Sequence, residues 1–300
     1  MTLPAVPGRV VRRLALAAIV VNVGIVVTGG AVRLTGSGLG CPTVPRCTDE
    51  SYFPTAALGV HGAIEFGNRM LSFVVGIVAI AGLVAALLHR PRSHRRRLVA
   101  PAAAALVGVI IQGVIGAITV RTDLHPAVVG IHFVSSMALL VLTYTFWRRA
   151  RELDHPAPAH PATPGPLRTL AWLTGAVSAA VIVVGTLVTG AGPHAGDADA
   201  QRNGLDLESI SQVHADLVFL LLGLSVALWL ALRAVAAPRA AVRAAGVLVA
   251  VELAQGLIGF AQYLTNLPAL LVGLHMLGAC LIWLATIATV AAVLARPAAP

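Results

Sequence analysis

QGVIGAITVRTDLHPAVVGIHF at residues 112–133 is answered later in the chain by QGLIGFAQYLTNLPALLVGLHM at residues 255–276. Gln112 pairs with Gln255, Gly113 with Gly256, Gly116 with Gly259 and His132 with His275, all in one register. Self-similarity over such a stretch marks a duplicated unit. Each copy closes on a histidine set inside an apolar segment.

Hydrophobic residues make up 58% of the 300-residue chain and charged residues 11%, with a mean hydropathy of +0.87. Too few polar side chains exist to cover a soluble surface, so the chain reads as an integral membrane protein in a lipid bilayer. The formal charge of +9 does not imply a nucleic-acid partner. Every basic residue is an arginine, and most sit in short segments flanking the apolar runs, which is a topological signal.

Runs long enough to span a bilayer fall at about 14–32, 60–88, 98–120, 127–147, 168–190, 207–232, 244–264 and 268–295. The expected fold is all-α, with eight transmembrane helices arranged as two parallel-repeat four-helix bundles. Arg9, Arg12 and Arg13, then Arg90 to Arg97, Arg148 to Arg151, and Arg233 to Arg243 alternate with acidic loops. The positive-inside rule then places both termini in the cytoplasm of a multi-pass plasma-membrane protein. The first apolar run has no small-residue cleavage site and matches the fifth, so it reads as a retained helix. The expected organisation is an N-terminal repeat at 1–150, a Pro/Ala-rich cytoplasmic linker at 151–167 containing ELDHPAPAHPATPGPL, and a C-terminal repeat at 168–300.

After helix 1 the segment GGAVRLTGSGLGCPTVPRC cannot continue a helix and forms an outer loop. Cys41 and Cys47 lie in it on the oxidising side, where compartment and spacing favour a disulfide. Two free thiols or a redox-cycling pair are the alternatives. Cys280 within helix 8 reads as a packing residue.

Helix 2 opens with HGAIEFGNRM, so His61, Glu65 and Asn68 or Arg69 share roughly one face. An intramembrane carboxylate needs a partner or a purpose. Two readings of Glu65 stand: a structural ion pair with Arg69, or a proton-handling or substrate-orienting carboxylate. Gln112, Gly113 and Gly116 suit close helix packing and an interhelical hydrogen bond. His125 reads as solvated, and His194, Asp197 and Asp199 as an acidic loop. Glu252 has no counterpart in the first repeat, where Val109 stands, and receives no role.

A lone membrane histidine often does no more than bond a neighbouring helix. Here His214 and His275 lie at similar depth on two helices of one repeat, and Asn68 and His132 occupy the matching places in the other. Inward-facing side chains of a bundle hold cofactors, and two imidazoles suit the axial positions of a haem iron. Zinc would need a richer ligand set. The second repeat is thus expected to saturate an iron, and the first to leave one face open beside Glu65.

The combination of GGAVRLTGSGLGCP, IEFGNR and histidines on helices 4, 6 and 8 resembles the haem A synthase family in an actinobacterial form, over essentially the whole chain. The resemblance implies an oxidoreductase that converts the C8 methyl of haem O to a formyl group by successive hydroxylations, supplying haem A for cytochrome c oxidase. It implies haem b as cofactor on His214 and His275, Glu65 as the catalytic carboxylate, and His132 with Asn68 in the substrate half. Its implied partners are haem O, haem O synthase and a membrane electron donor, with Cys41 and Cys47 as the family's outer-loop pair. Many members carry His where this chain has Asn68, and some carry a second cysteine pair that it lacks. A two-haem cytochrome that only passes electrons to or from quinone is the alternative from another class, and a transporter a third.

Overall fold

The computed structural model describes residues 5–153 and 163–295, with only the backbone described at 92–94. Its helices are α1 (Gly8–Leu34), α2 (Gly59–Leu88), α3 (Arg92–Arg121), α4 (Pro126–Glu152), α5 (Gly165–Ala191), α6 (Leu207–Ala234), α7 (Arg239–Leu264) and α8 (Ala269–Val293). A short 3-10 turn, Ala56–Leu58, precedes α2. All eight helices are long and apolar enough to cross a membrane, and no strand occurs among the described residues.

Several helices outrun their apolar windows. The third begins at Arg92 rather than 98, the seventh at Arg239 rather than 244, and the fourth runs to Glu152. Hydropathy marks only the hydrocarbon-facing part, whereas arginine is a good helix former and carries the backbone hydrogen bonds into the headgroup layer. Proline marks the starts: Pro7, Pro91, Pro164, Pro238 and Pro268 precede α1, α3, α5, α7 and α8, and Pro126 opens α4. Its fixed φ and missing N–H cost nothing there.

The chain divides into two compact units, the first Met1–Pro156 with Pro193–Asn203, the second Ala157–Gly192 with Gly204–Pro300. Most of the linker expected at 151–167, namely 154–162, lies outside the described residues. In the first unit α1 packs on α2 and α4, and α3 on α2 and α4. In the second, α5 packs on α6 and α8, and α7 on α6 and α8. Each is a closed ring of four helices.

Within each unit the arginine-bearing end is packed with alanines set among larger apolar side chains. Val11, Ala15, Ala85, Ala86, Leu98, Ala102, Phe146 and Ala150 form the core of the first. Ala171, Leu228, Leu232, Ala241, Ala245 and Val293 form that of the second. Without a hydrophobic drive between helices in lipid, such small side chains permit the close backbone approach that holds a bundle together. His132, His214 and His275 stand in the early turns of α4, α6 and α8, toward the opposite end.

The repeated stretch builds the same turn in both units. Asp123 and Leu124 between α3 and α4, and Asn266 and Leu267 between α7 and α8, all take positive φ of 50–59°. Leu124 N–H returns to the Thr119 carbonyl at 3.0 Å, and Leu267 N–H to that of Gln262 at 2.9 Å. Asp and Asn tolerate this region; the leucines adopt it against their preference, held by that bond.

Candidate functional site

The candidate side chains fall into two groups, one around Glu65 and one around the histidines.

The first is assembled by the glycine-rich loop after α1. Gly36, at φ +65°, ends the helix in the left-handed conformation, and Ser37 N–H bonds back to the Val32 carbonyl at 2.9 Å. Gly40 then lies directly on the backbone of α2, where a Cβ would collide with the His61 carbonyl. This approach delivers Cys41 to the carboxylate. Cys41 N–H donates to Glu65 Oε2 at 2.5 Å, while Arg69 donates to Oε1 from Nε at 3.0 Å and Nη2 at 2.5 Å. Arg69 also donates to three loop carbonyls: Cys41 at 2.7 Å, Thr43 at 2.8 Å and Arg46 at 3.2 Å. Cys41 and Cys47 form a disulfide with their Cα atoms 4.4 Å apart, closing the loop over this clamp.

Glu65 is therefore 5% exposed, with its charge answered by a guanidinium and a backbone amide. Its pairing with Arg69 follows from their spacing of four. The Cys41 amide as second partner, and the loop carbonyls as destinations for Arg69, were not visible in the sequence, because nothing local couples residues 41–46 to 65–69. The only signal was the density of glycine. His61, exposed, meets the loop through Ser37 Oγ at 2.9 Å. Asn68 points elsewhere: its Oδ1 accepts from Thr28 on α1 at 2.8 Å, and no hydrogen bond joins it to His132.

The histidines share one construction. Each imidazole packs over a glycine of the neighbouring helix: a methyl group added to Gly116, Gly185 or Gly259 would sit 3.5, 3.2 or 3.5 Å from Cε1 of His132, His214 or His275. Each ring is half-buried, and each Nδ1 is buried without a hydrogen-bond partner. Gln112 donates to the His132 carbonyl at 3.3 Å and to Ser136 Oγ at 3.0 Å, and Gln255 donates to the His275 carbonyl at 2.8 Å. In the second unit His214 and His275 stand on α6 and α8, which lie diagonally across the ring of four helices. No group of three or more His, Cys, Asp and Glu side chains suited to a metal occurs among the described residues. A haem iron asks only two ligands of the protein.

Glu252, unassigned from sequence, is 6% exposed and accepts from Ser225 Oγ at 2.8 Å, with its second oxygen unpartnered. It lies two helical turns from Gly259, toward the arginine end. Asp197 and Asp199 fold on themselves, the Asp199 N–H bonding Asp197 Oδ1 at 3.0 Å.

The profile of the COX15-CtaA family, described as cytochrome oxidase assembly protein, matches residues 12–196. The chain belongs to this family. The COX15-CtaA match takes in the Glu65 clamp, Asn68 and His132, and ends before α6, so His214 and His275 lie beyond it. Among curated proteins the chain is similar to the heme A synthase of Alkalihalophilus pseudofirmus, 31% identical over 149 residues covering 47% of this chain and 49% of that protein. It is also similar to those of Exiguobacterium sp. (31% over 132 residues, 43% of each) and Bacillus cereus (32% over 136 residues, 43% and 42%). The chain thus spans about half the length of the curated relatives it matches.

Proposed function

We propose that this protein is a haem A synthase, oxidising the C8 methyl of haem O to a formyl group by successive hydroxylations. The observation that carries the reading is the pair His214 and His275. They stand on two helices of one bundle, each ring over a glycine that leaves it room, each with a buried nitrogen lacking a partner. Those features fit a haem held between imidazoles, which we assign as haem b. Family membership and relatives named heme A synthase support the same assignment.

A bound haem supplies one-electron chemistry that no side chain can provide. The residues do the rest. His214 and His275 hold the cofactor, and Gln255 fixes the His275 backbone. In the first unit His132 offers a single imidazole to the substrate haem O, while Asn68, engaged with Thr28, leaves the opposite side uncommitted. Glu65 is the catalytic carboxylate, steering a proton or orienting the porphyrin methyl, and the Cys41 amide and Arg69 fix where it stands. Each hydroxylation takes two electrons from the methyl carbon and adds one oxygen atom. Dioxygen supplies that atom, and its other atom, with two further electrons from a membrane donor and two protons, leaves as water. Haem O is delivered by haem O synthase, and the protein works in the plasma membrane with both termini cytoplasmic.

The decisive experiment is co-expression with haem O synthase followed by extraction of the haems. A formyl haem is the expected product; unmodified haem O beside a full complement of haem b would overturn the assignment. In the same assay Glu65→Gln is expected to keep bound haem b and abolish formyl haem, and full activity in that variant would remove Glu65 from the mechanism.

A further inference from the structure

At the arginine end of the first unit, α3 and α4 flank an open surface recess of about 430 Å³ that the chemistry above does not use. Arg96, Arg97, Ala100 and Pro101 line it from α3, and Thr145 and Arg149 from α4. We propose that this recess binds the phosphate headgroup of an anionic phospholipid.

Three observations converge on that ligand. Two arginines beside the recess are committed elsewhere: Arg148 pairs with Glu152 at 3.2 Å, and Arg151 lies 5.0 Å above the Trp147 ring. Arg96, Arg97 and Arg149 are exposed and make no hydrogen bond or ion pair among the described residues, so three guanidiniums line one recess with no carboxylate among its lining residues. Guanidinium forks match phosphate oxygens in a way a solvated point charge does not.

The second observation is the helix beneath them. The first turn of α3 holds no acidic residue, and its N-cap Pro91 makes no side-chain cap. Arginines gathered at the positive end of a helix dipole repel both that end and one another, and a bound anion relieves both.

The third observation separates a lipid from a small anion. The floor of the recess is apolar at Ala100 and Pro101, and α3 continues from it with Val107, Ile110, Ile111 and Val114, each at least 50% exposed. A headgroup in the recess lays its acyl chains along that face. Basic pockets between transmembrane helices on the cytoplasmic side take anionic headgroups in this manner, and the arginine distribution assigns this end to that side.

The test is native mass spectrometry of the intact, detergent-purified protein titrated with cardiolipin, phosphatidylglycerol, phosphatidylcholine or inorganic phosphate. Retention of an anionic lipid is expected, with at least tenfold weaker binding in R96Q/R97Q/R149Q and no change in R148Q/R151Q/R233Q, which removes the same charge from arginines engaged elsewhere. The single variant R149Q, read alongside, is expected to weaken retention at least twofold should the triple variant fold poorly. Equal loss in both triple variants, retention of phosphatidylcholine as strong as that of the anionic lipids, displacement of the lipid by millimolar phosphate, or unchanged retention in R149Q would each overturn the proposal.

Discussion

Arg69 uses all five of its N–H donors, two on Glu65 and three on carbonyls of the disulfide loop. Replacing it with alanine strands a buried carboxylate and three carbonyls at once. Removing one partner of a buried pair typically costs about 3–5 kcal/mol. Arg69→Ala is therefore expected to lower the thermal midpoint of the detergent-solubilised protein and to hasten reduction of Cys41–Cys47 by dithiothreitol. Arg69→Lys rescues little, since one ammonium cannot reach so many acceptors. Normal stability and an unaltered reduction rate in Arg69→Ala would show that the clamp is dispensable. Glycines offer a second comparison on one helix: Gly259 faces His275, whereas a Cβ at Gly256 meets nothing within 4 Å. If the imidazole holds haem, Gly259→Leu displaces it and bleaches the Soret band of the purified protein, while Gly256→Leu leaves the spectrum intact. Equal spectra for the two would count against His275 as a ligand.

Individual helices are specified chiefly at their ends. Proline opens most of them, but α6 starts at Asp206, whose Oδ1 accepts from Ser209 N–H at 3.0 Å and Oγ at 2.6 Å. Those two bonds hold the Asp206 carboxyl below the usual carboxylate range. A depressed folded value means the cap is fully present above the ordinary carboxylate pKa of about 4 and fades as pH falls through the lower folded one. The protection factor of the first α6 amides, which is exchange corrected for its intrinsic pH dependence, should fall only under acid conditions and stay flat from neutral pH upward. Asp206→Asn keeps the cap and removes that acid response, because asparagine caps as well as aspartate; an acid response surviving in the variant would assign it to another group. The α3–α4 and α7–α8 turns carry their own test. Asn266 at φ 59° and Asp123 at φ 50° tolerate Gly, whereas a β-branched Val at either place costs about 1–2 kcal/mol. Denaturant unfolding measures both substitutions.

Across the molecule, two four-helix rings carry different histidine sets, and the proposed division of labour makes their mutants distinguishable. His214→Ala and His275→Ala should each deplete haem b, whereas His132→Ala should keep it and lose only haem A formation; a uniform loss of haem in all three would mean the rings do not act separately. Reporter fusions at the C-terminus, active only in the cytoplasm, check the orientation assigned from arginine.

The eight spans, the alternation of charge and the repeated Gln, Gly and His positions were legible in the chain because each depends on local composition or on a pattern copied within it. A helix in lipid satisfies its own backbone, so its existence needs no distant partner. The Glu65–Arg69 pair was legible for the same reason, as one helix face. What remained hidden depends on segments far apart in sequence: the Cys41 amide on Glu65, the turning of Asn68 toward Thr28, and the bond from Gly38 to the Gly196 carbonyl that ties residues 193–203 to the first unit. Hydropathy and spacing fix which segments are helices and which faces they offer. Packing alone selects which loop atom meets which side chain, because those contacts arise only when the bundle closes.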